Sequence, residues 1–243
     1  MKAIVIGATS GIGRALAKEI SNSGGVVGVT GRRVELLESL EKELAGPCFK
    51  SQFDITDADA SVAAFTALVS EMDGVDVVII NSGYGSSDAS FPLEDDLQTV
   101  AVNVAGFTTI ANTAYRYFDE KGVGHIVGIS SVAAVRGGPF TAYNASKAYV
   151  TSYLEGLACR KPVRNGSIVI TDVRPGFVDT PMAQGDDLFW VASPEKAASQ
   201  IVKSIVAKKR VVYITKRWRL IAYLIMSLPF VLYRKIIGQG AGV

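Results

Sequence analysis

Residues 3–33 read AIVIGATSGIGRALAKEISNSGGVVGVTGRR, and this stretch decides the fold. Ala3–Ile6 is a short apolar run that ends on a glycine. Gly7-Ala8-Thr9-Ser10-Gly11-Ile12-Gly13 is a glycine-rich turn, Gly13–Asn22 has helical length, and Val26–Thr30 is a second β-branched run. A strand, a tight turn, a helix and another strand make a unit whose strands run parallel. Glycines let such a turn approach a pyrophosphate closely, and the free amides of the helix N-terminus bind its charge. The spacing is G-x-x-x-G-x-G rather than G-x-G-x-x-G, and a glycine-rich turn alone is weak evidence of a ligand. Its place at the first strand–helix junction strengthens it, because ligands bind at the carboxyl ends of such strands.

The alternation continues along the chain. Further strand candidates are Cys48–Phe53, Val75–Ile80, His125–Ser130, Ser167–Val173 and Val211–Ile214. Helix-length segments lie at Val34–Leu44, Asp57–Glu71, Leu97–Phe118, Thr141–Ala158 and Pro194–Ala207. Val77-Val78-Ile79-Ile80 is apolar on both faces, as a strand covered from both sides must be. These elements predict an α/β, Rossmann-like doubly wound fold: a mostly parallel seven-stranded sheet with helices on both faces. No repeat, low-complexity stretch or Pro/Gly/Ser linker divides the 243 residues, so residues 1–243 read as one domain.

Composition narrows the function. Hydrophobic residues make up 49% and charged residues 20%, a balance that fills a core and excludes disorder. Two cysteines, Cys48 and Cys159, exclude a disulfide scaffold, and the single histidine, His125, excludes a paired-histidine metal site, so no metal is expected. A net charge of +2 is too small to argue for nucleic acid. The four apolar residues before Gly7 are too few for a signal peptide, and a cytoplasmic location is expected.

The charge is unevenly placed. From Lys208 onward there are eight basic residues and no acidic one, which leaves the first 207 residues at a formal −6. Within this extension, 208–243, the fourteen residues Leu220–Tyr233 carry no charge and are flanked by Lys216-Arg217-Trp218-Arg219 and Arg234-Lys235. A spanning helix needs about 20 apolar residues, and Pro229 interrupts this one. The segment reads as an apolar helical tail, packed in the core or a subunit interface. The other reading is a helix lying in a membrane surface with its basic and aromatic flanks at the headgroups.

Two further patterns carry chemistry. The second strand ends Val29-Thr30-Gly31-Arg32-Arg33, with no acidic residue to accept hydrogen bonds from an adenosine ribose. Two guanidinium forks there suit a 2′-phosphate, so NADP is expected over NAD. In Tyr143-Asn144-Ala145-Ser146-Lys147, a phenol and an ammonium share one helix face. A nearby cation favours the phenolate, so the Tyr143 pKa should fall and let the phenol exchange a proton with a carbonyl oxygen. Ser130-Ser131 at a strand end and Asn103 on the preceding helix give this pair its setting.

The ordered motifs Gly7-x-x-x-Gly11-Ile12-Gly13, Asp54, Asn81-Ser82-Gly83, Asn103-Val104-Ala105-Gly106, Ser130-Ser131, Tyr143-x-x-x-Lys147 and Arg174-Pro175-Gly176-Phe177-Val178-Asp179-Thr180 resemble the short-chain dehydrogenase/reductase family in its common single-domain form. The resemblance runs from Ala3 to about Ala207. It implies Tyr143 as general acid/base, Ser131 on the substrate oxygen, and Lys147 on the nicotinamide ribose. Asn103 would hold a water that relays protons through Lys147. It implies a cofactor cradle of Gly7, Thr9, Ser10, Gly11, Ile12 and Gly13, with Arg32 and Arg33 at its far end. Asp54 and Ile55 would meet the adenine, Asn81 and Gly83 would border the cofactor, and Pro175, Gly176, Val178 and Thr180 would position the nicotinamide. The implied activity is hydride transfer between NADP and a small, possibly apolar carbonyl or alcohol substrate, in a dimer or tetramer. A silent dinucleotide-binding sensor or scaffold is the alternative.

Three features depart from the family pattern. Ser82 stands where the family has alanine. Ser131 lies twelve residues before Tyr143, one fewer than is common, which leaves Ser130 as a rival; Val132 after it favours Ser131. The segment between Pro181 and Pro194 is short, which predicts a small substrate lid. Elsewhere, His125 reads as structural, Cys159 as an inert packing residue, and Tyr149 and Tyr153 as interface packing. Phe189 and Trp190 line the entrance or cover the core.

Overall fold

The computed structural model describes residues 1–86, 88, 90–163, 166–182 and 189–240. All seven expected strands form: β1 (Lys2–Ile6), β2 (Val26–Gly31), β3 (Cys48–Gln52), β4 (Val77–Ile80), β5 (Val123–Ile129), β6 (Ser167–Pro175) and β7 (Val211–Ile214). Every pairing is parallel, and the order is β3-β2-β1-β4-β5-β6-β7. The chain winds outward in one direction from β1 and then returns to start again at β4. The crevice between their carboxyl ends is therefore the switch point where ligands of such sheets bind.

Successive side chains of each strand feed opposite layers. Ala3 and Val5 of β1 point to the layer of α1 (Gly11–Asn22), α2 (Val34–Glu41) and α7 (Pro194–Val206), with Leu16, Leu37 and Ile201 fully buried. Ile4 and Ile6 point to the layer of α3 (Ala58–Glu71), α4 (Leu93–Val100), α5 (Phe107–Lys121) and α6 (Thr141–Cys159), around Phe65, Phe118 and Leu154. Both faces of the central strands are covered, which is why β1 from Ala3 to Ile6 and β4 read as unbroken apolar runs.

The expected helix Leu97–Phe118 is longer and less regular than its sequence suggests. Helical structure runs from Leu93 to Lys121, but Ala101–Gly106 between α4 and α5 is a π-helical segment. Gly106 lies so close to β3's following loop that a Cβ there would sit 2.6 Å from the Ile55 carbonyl oxygen. The wide turn carries Asn103, and π-segments of this kind recur at functional sites.

Past β7 the tail forms two helices, α8 (Trp218–Ser227) and α9 (Phe230–Gly240). They meet at Pro229, which lacks the amide a continuing helix would need, and Leu228 before it is extended. Trp218 and Ala222 of α8 are buried with Val132 beside the sheet's carboxyl end. Among the described residues no helix is long and apolar enough to cross a membrane.

Several minor expectations resolve here. Cys159 is exposed at the end of α6 rather than packed, because the helix ends there. Tyr149 and Tyr153 stack on each other at 5.7 Å, and the Tyr149 hydroxyl pairs with that of Thr108, so both pack against α5 of their own chain. Phe189 and Trp190 lie against Trp218. Residues 183–188, on which the small lid was expected, lie outside the described residues.

His125 is buried in β5, and its Nε2 lies 2.7 Å from the Thr171 hydroxyl. Thr171 spends its own proton on the Lys209 carbonyl at 2.6 Å, so it accepts from a neutral Nε2–H tautomer. Burial, with Lys208 adding to it, depresses the imidazole from 6.5 to about 4. The unfolded chain binds this proton before the folded one does. Unfolding free energy should therefore fall as pH drops from 6.5 towards 4. Urea titrations across that range should show the slope, and His125→Gln should flatten it.

Candidate active site

The glycine turn is built from three close approaches. Gly7 has φ +85°, and a Cβ on it would meet Ser82 within 3 Å; its amide reaches the Thr30 carbonyl. A Cβ on Gly13 would lie 2.0 Å from the Gly7 carbonyl oxygen, which also accepts from Asn81 Nδ2 at 2.7 Å. Gly11, with φ +54°, leaves 2.9 Å between such a Cβ and the Thr180 methyl. The turn is thereby clamped between the ends of β4 and β6. Ser10 at the N-cap of α1 makes no side-chain cap bond, and the first turn holds no acidic residue. The helix N-terminus thus presents amides and partial positive charge at the cleft wall formed by Thr9, Ser10, Gly11 and Ile12.

The two arginines flank this end. Arg33 Nη2 donates to Thr9 Oγ1 at 2.8 Å and to Ser10 Oγ at 3.3 Å. Among the described residues no carboxylate pairs with it. Arg32 Nη1 lies 3.4 Å from Asp54 Oδ2. Burial would raise the Asp54 pKa, but the amide and hydroxyl of Thr56 and the Arg32 guanidinium outweigh it and hold the carboxyl below its usual range. Ile55 follows Asp54 on the same wall.

The other end is set by β5 and α6. Ser131 accepts from the Ala133 amide at 3.0 Å and starts a 3₁₀ turn, Val132–Val135. The Tyr143 ring lies flat on Gly85, where a Cβ would come within 2.7 Å. Lys147 is 4% exposed; its Nζ donates to the Ile129 carbonyl at 2.9 Å and stands 5.7 Å from the Tyr143 ring centroid. Burial lowers the ammonium pKa from 10.5 to about 8, with Asp172 pulling it back up. Burial also raises the Tyr143 phenol, and the Ser131 hydroxyl beside it pulls the other way. The phenol is therefore not lowered as its spacing from Lys147 suggests, because desolvation of the anion outweighs a cation this far away.

The cleft encloses about 680 Å³ and joins both ends. Asn81, Gly83, Pro175, Gly176, Val178 and Thr180 complete its wall. Gly13 and Asn103 stand behind it. Asn103 Oδ1 accepts from the Tyr84 amide, and its Nδ2 donates to the Tyr84 carbonyl, both at 2.8 Å, and to Ser146 Oγ at 2.9 Å. Ser146 Oγ in turn donates to the Tyr143 carbonyl at 2.8 Å. Asn103 therefore ties the loop under Tyr143 to α6.

Sequence reading passed over Asp172. The Ser130 hydroxyl donates to its Oδ1, and Arg174 Nε donates to Oδ2 at 2.7 Å. The signal was a carboxylate directly after the strand-forming run Ile168–Thr171 of β6. This bond turns Ser130 into the sheet and leaves Ser131 as the serine beside Tyr143. The tail also reaches the site: the Trp218 ring would lie 2.1 Å from a Cβ on Gly176, so it backs the cleft wall.

A family model described as short chain dehydrogenase matches residues 1–188. An uncharacterized oxidoreductase of Myxococcus xanthus is 34% identical over 186 residues, covering 74% of this chain and 73% of its own length. Among solved structures, the closed form of a serine dehydrogenase complexed with NADP+ superposes with a TM-score of 0.76 at 25% identity, covering 89% of this chain and 96% of that one. A 3-ketoacyl-(acyl-carrier-protein) reductase of Brucella melitensis complexed with NADH gives 0.78 at 23% identity, over 88% and 96%, a likeness of fold.

Ser130→Ala should leave the buried Asp172 carboxylate one donor short. Chemical denaturation should show a loss of about 1–3 kcal/mol.

Proposed function

Because the chain belongs to the short-chain dehydrogenase family, we propose that it is an NADP-dependent oxidoreductase acting on a carbonyl or secondary alcohol. The family's fold binds nicotinamide dinucleotides, and the residues here fit one. The uncapped N-terminus of α1 and the unpaired-by-carboxylate Arg33 offer positive charge at one end of a cleft. Ser131, Tyr143 and Lys147 converge at the other. That single cleft, holding an anion cradle and a phenol–serine–lysine group, carries the reading.

On this reading the bound dinucleotide supplies the hydride, and the chain supplies binding and proton transfer. Gly7, Thr9, Ser10, Gly11, Ile12 and Gly13 form the phosphate cradle. Arg32 and Arg33 take the 2′-phosphate, with Asp54 and Ile55 against the adenine. Asn81 and Gly83 border the middle, and Pro175, Gly176, Val178 and Thr180 hold the nicotinamide side. Ser131 donates to the substrate oxygen, and Tyr143 passes a proton to it in reduction. A phenol raised by burial is protonated at neutral pH, which suits the donor's role. Lys147 holds the ribose, and Asn103 fixes the relay behind it. The unit is one domain over residues 1–243, acting in the cytoplasm as a dimer or tetramer, with no metal and no nucleic acid.

Tyr143→Phe should lower NADPH oxidation with an active ketone by about 10²–10⁴-fold, while NADPH binding, read by fluorescence, stays within a few-fold. Surviving activity would remove Tyr143 from the role. Arg33→Ala should weaken NADPH binding by about tenfold to a hundredfold, the scale of a lost charge-assisted bond, and leave NADH nearly unchanged. Equal loss for both cofactors would overturn the 2′-phosphate assignment.

A further inference from the structure

We propose that the α8–α9 hairpin seats the mouth of the cleft on an anionic phospholipid surface, and that the substrate is an apolar carbonyl or alcohol drawn from that surface. The second clause rests on the reading of the cleft given above.

The hairpin is fastened to the cleft wall at both ends. Trp218 packs over Gly176 and edge-on against Phe177 at 5.3 Å. Arg136, on the loop after Ser131, donates from Nη1 to the Ile225 carbonyl at 2.8 Å and the Leu228 carbonyl at 2.6 Å. Its guanidinium also lies 4.2 Å over the Tyr233 ring, and the Tyr233 hydroxyl donates to the Gly137 carbonyl. One side chain thus closes the carbonyl end of α8, grips α9 and ties both to the turn that carries Ser131.

These contacts use the inner face of each helix and leave an apolar outer one. Leu220, Tyr223 and Leu224 of α8 are 72%, 51% and 56% exposed, and Phe230, Val231 and Leu232 of α9 are 66%, 67% and 50% exposed. A helix facing water presents polar residues on that side, and a contiguous apolar face marks an interaction site. Met182 and Phe140, both on the cleft wall, are half-exposed apolar residues as well.

Charge selects the occupant. Lys216, Arg217, Arg219, Arg234 and Lys235 are exposed around the apolar face, and the sequence from Lys208 onward holds no acidic residue. A two-fold contact between copies would set this patch against itself, cation against cation, with no carboxylate of the segment to answer it. A bilayer bearing anionic headgroups supplies both complements, phosphate for the collar and acyl chains for the apolar face. Neither helix is long enough to cross, so the hairpin lies in the surface.

Co-sedimentation of the full chain with phosphatidylcholine vesicles, with and without phosphatidylglycerol, tests the docking. Binding to the anionic vesicles should exceed binding to the neutral ones by tenfold or more and weaken in high salt. Leu224→Asp with Phe230→Asp should abolish it while circular dichroism, oligomeric size and NADPH binding are unchanged. Failure of the unmodified chain to bind, or a fall from oligomer to monomer in the double variant, would overturn the proposal. Vesicle binding requires no turnover, so a chain that docks but reduces no ketone would refute the enzymatic reading and leave the docking face standing. For the substrate clause, a long-chain methyl ketone in the anionic vesicles should be reduced at least tenfold more slowly by the double variant, and a short water-soluble ketone equally fast. Equal rates on both ketones would overturn that clause.

Discussion

A lysine ammonium sealed from water at the carboxyl end of a parallel sheet constrains everything around it. Removing a cation from solvent is expensive unless partners replace the water. Lys147 has the Ile129 carbonyl at 2.9 Å and the field of Asp172, and even so its pKa is pulled down to about 8. Asp172 is itself fixed by Ser130 and Arg174, and Arg174 Nη1 donates to the Tyr213 hydroxyl on β7. The carboxylate whose field the cation feels is thereby held by groups at the end of β5, on β6 and on β7.

The sheet was the most legible part of the sequence because its central strands, buried on both faces, are mostly apolar along their whole length. Val77–Ile80 and Ile126–Ile129 show this directly: alternate side chains enter different layers, yet all are apolar. Helix boundaries were less legible. Leu97–Phe118 has apolar spacing throughout, and nothing in that spacing announces a π-turn at Ala101–Gly106. The turn is a tertiary effect, imposed where Gly106 meets the Ile55 backbone. The tail was legible as apolar and broken at Pro229, but its orientation depended on Arg136, 89 residues earlier than the carbonyl of Ile225 it holds.

The site was legible as a set of residues and illegible as electrostatics. Spacing placed Tyr143 and Lys147 on one helix face, and the structure brings Ser131 beside them. The sign of the phenol's shift could not be read from spacing, since it depends on how much water each group loses. A cation 5.7 Å from a ring centroid and already tied to a carbonyl exerts less than burial does. The choice between Ser130 and Ser131 had the same character. A carboxylate on a neighbouring strand draws Ser130 away from Tyr143, and a strand-internal Asp172 has meaning only once β5 and β6 are in register.

The cleft divides into a part common to such folds and a part peculiar to this chain. The cradle and the phenol end are set by the sheet, whose geometry is fixed by hydrogen bonding. The wall behind Gly176 is set by the Trp218 ring, which comes this close only because residue 176 carries no Cβ. Trp218 is held in turn by Phe177 and Trp190 edge-to-face and by Phe189 at a tilt, with centroids 5.1 to 6.0 Å apart. Such aromatic contacts are apolar and specific in geometry, so they hold the ring in place behind Gly176. The segment after β7, where the sequence is most basic and most apolar at once, thereby backs a cleft that the sheet itself sets.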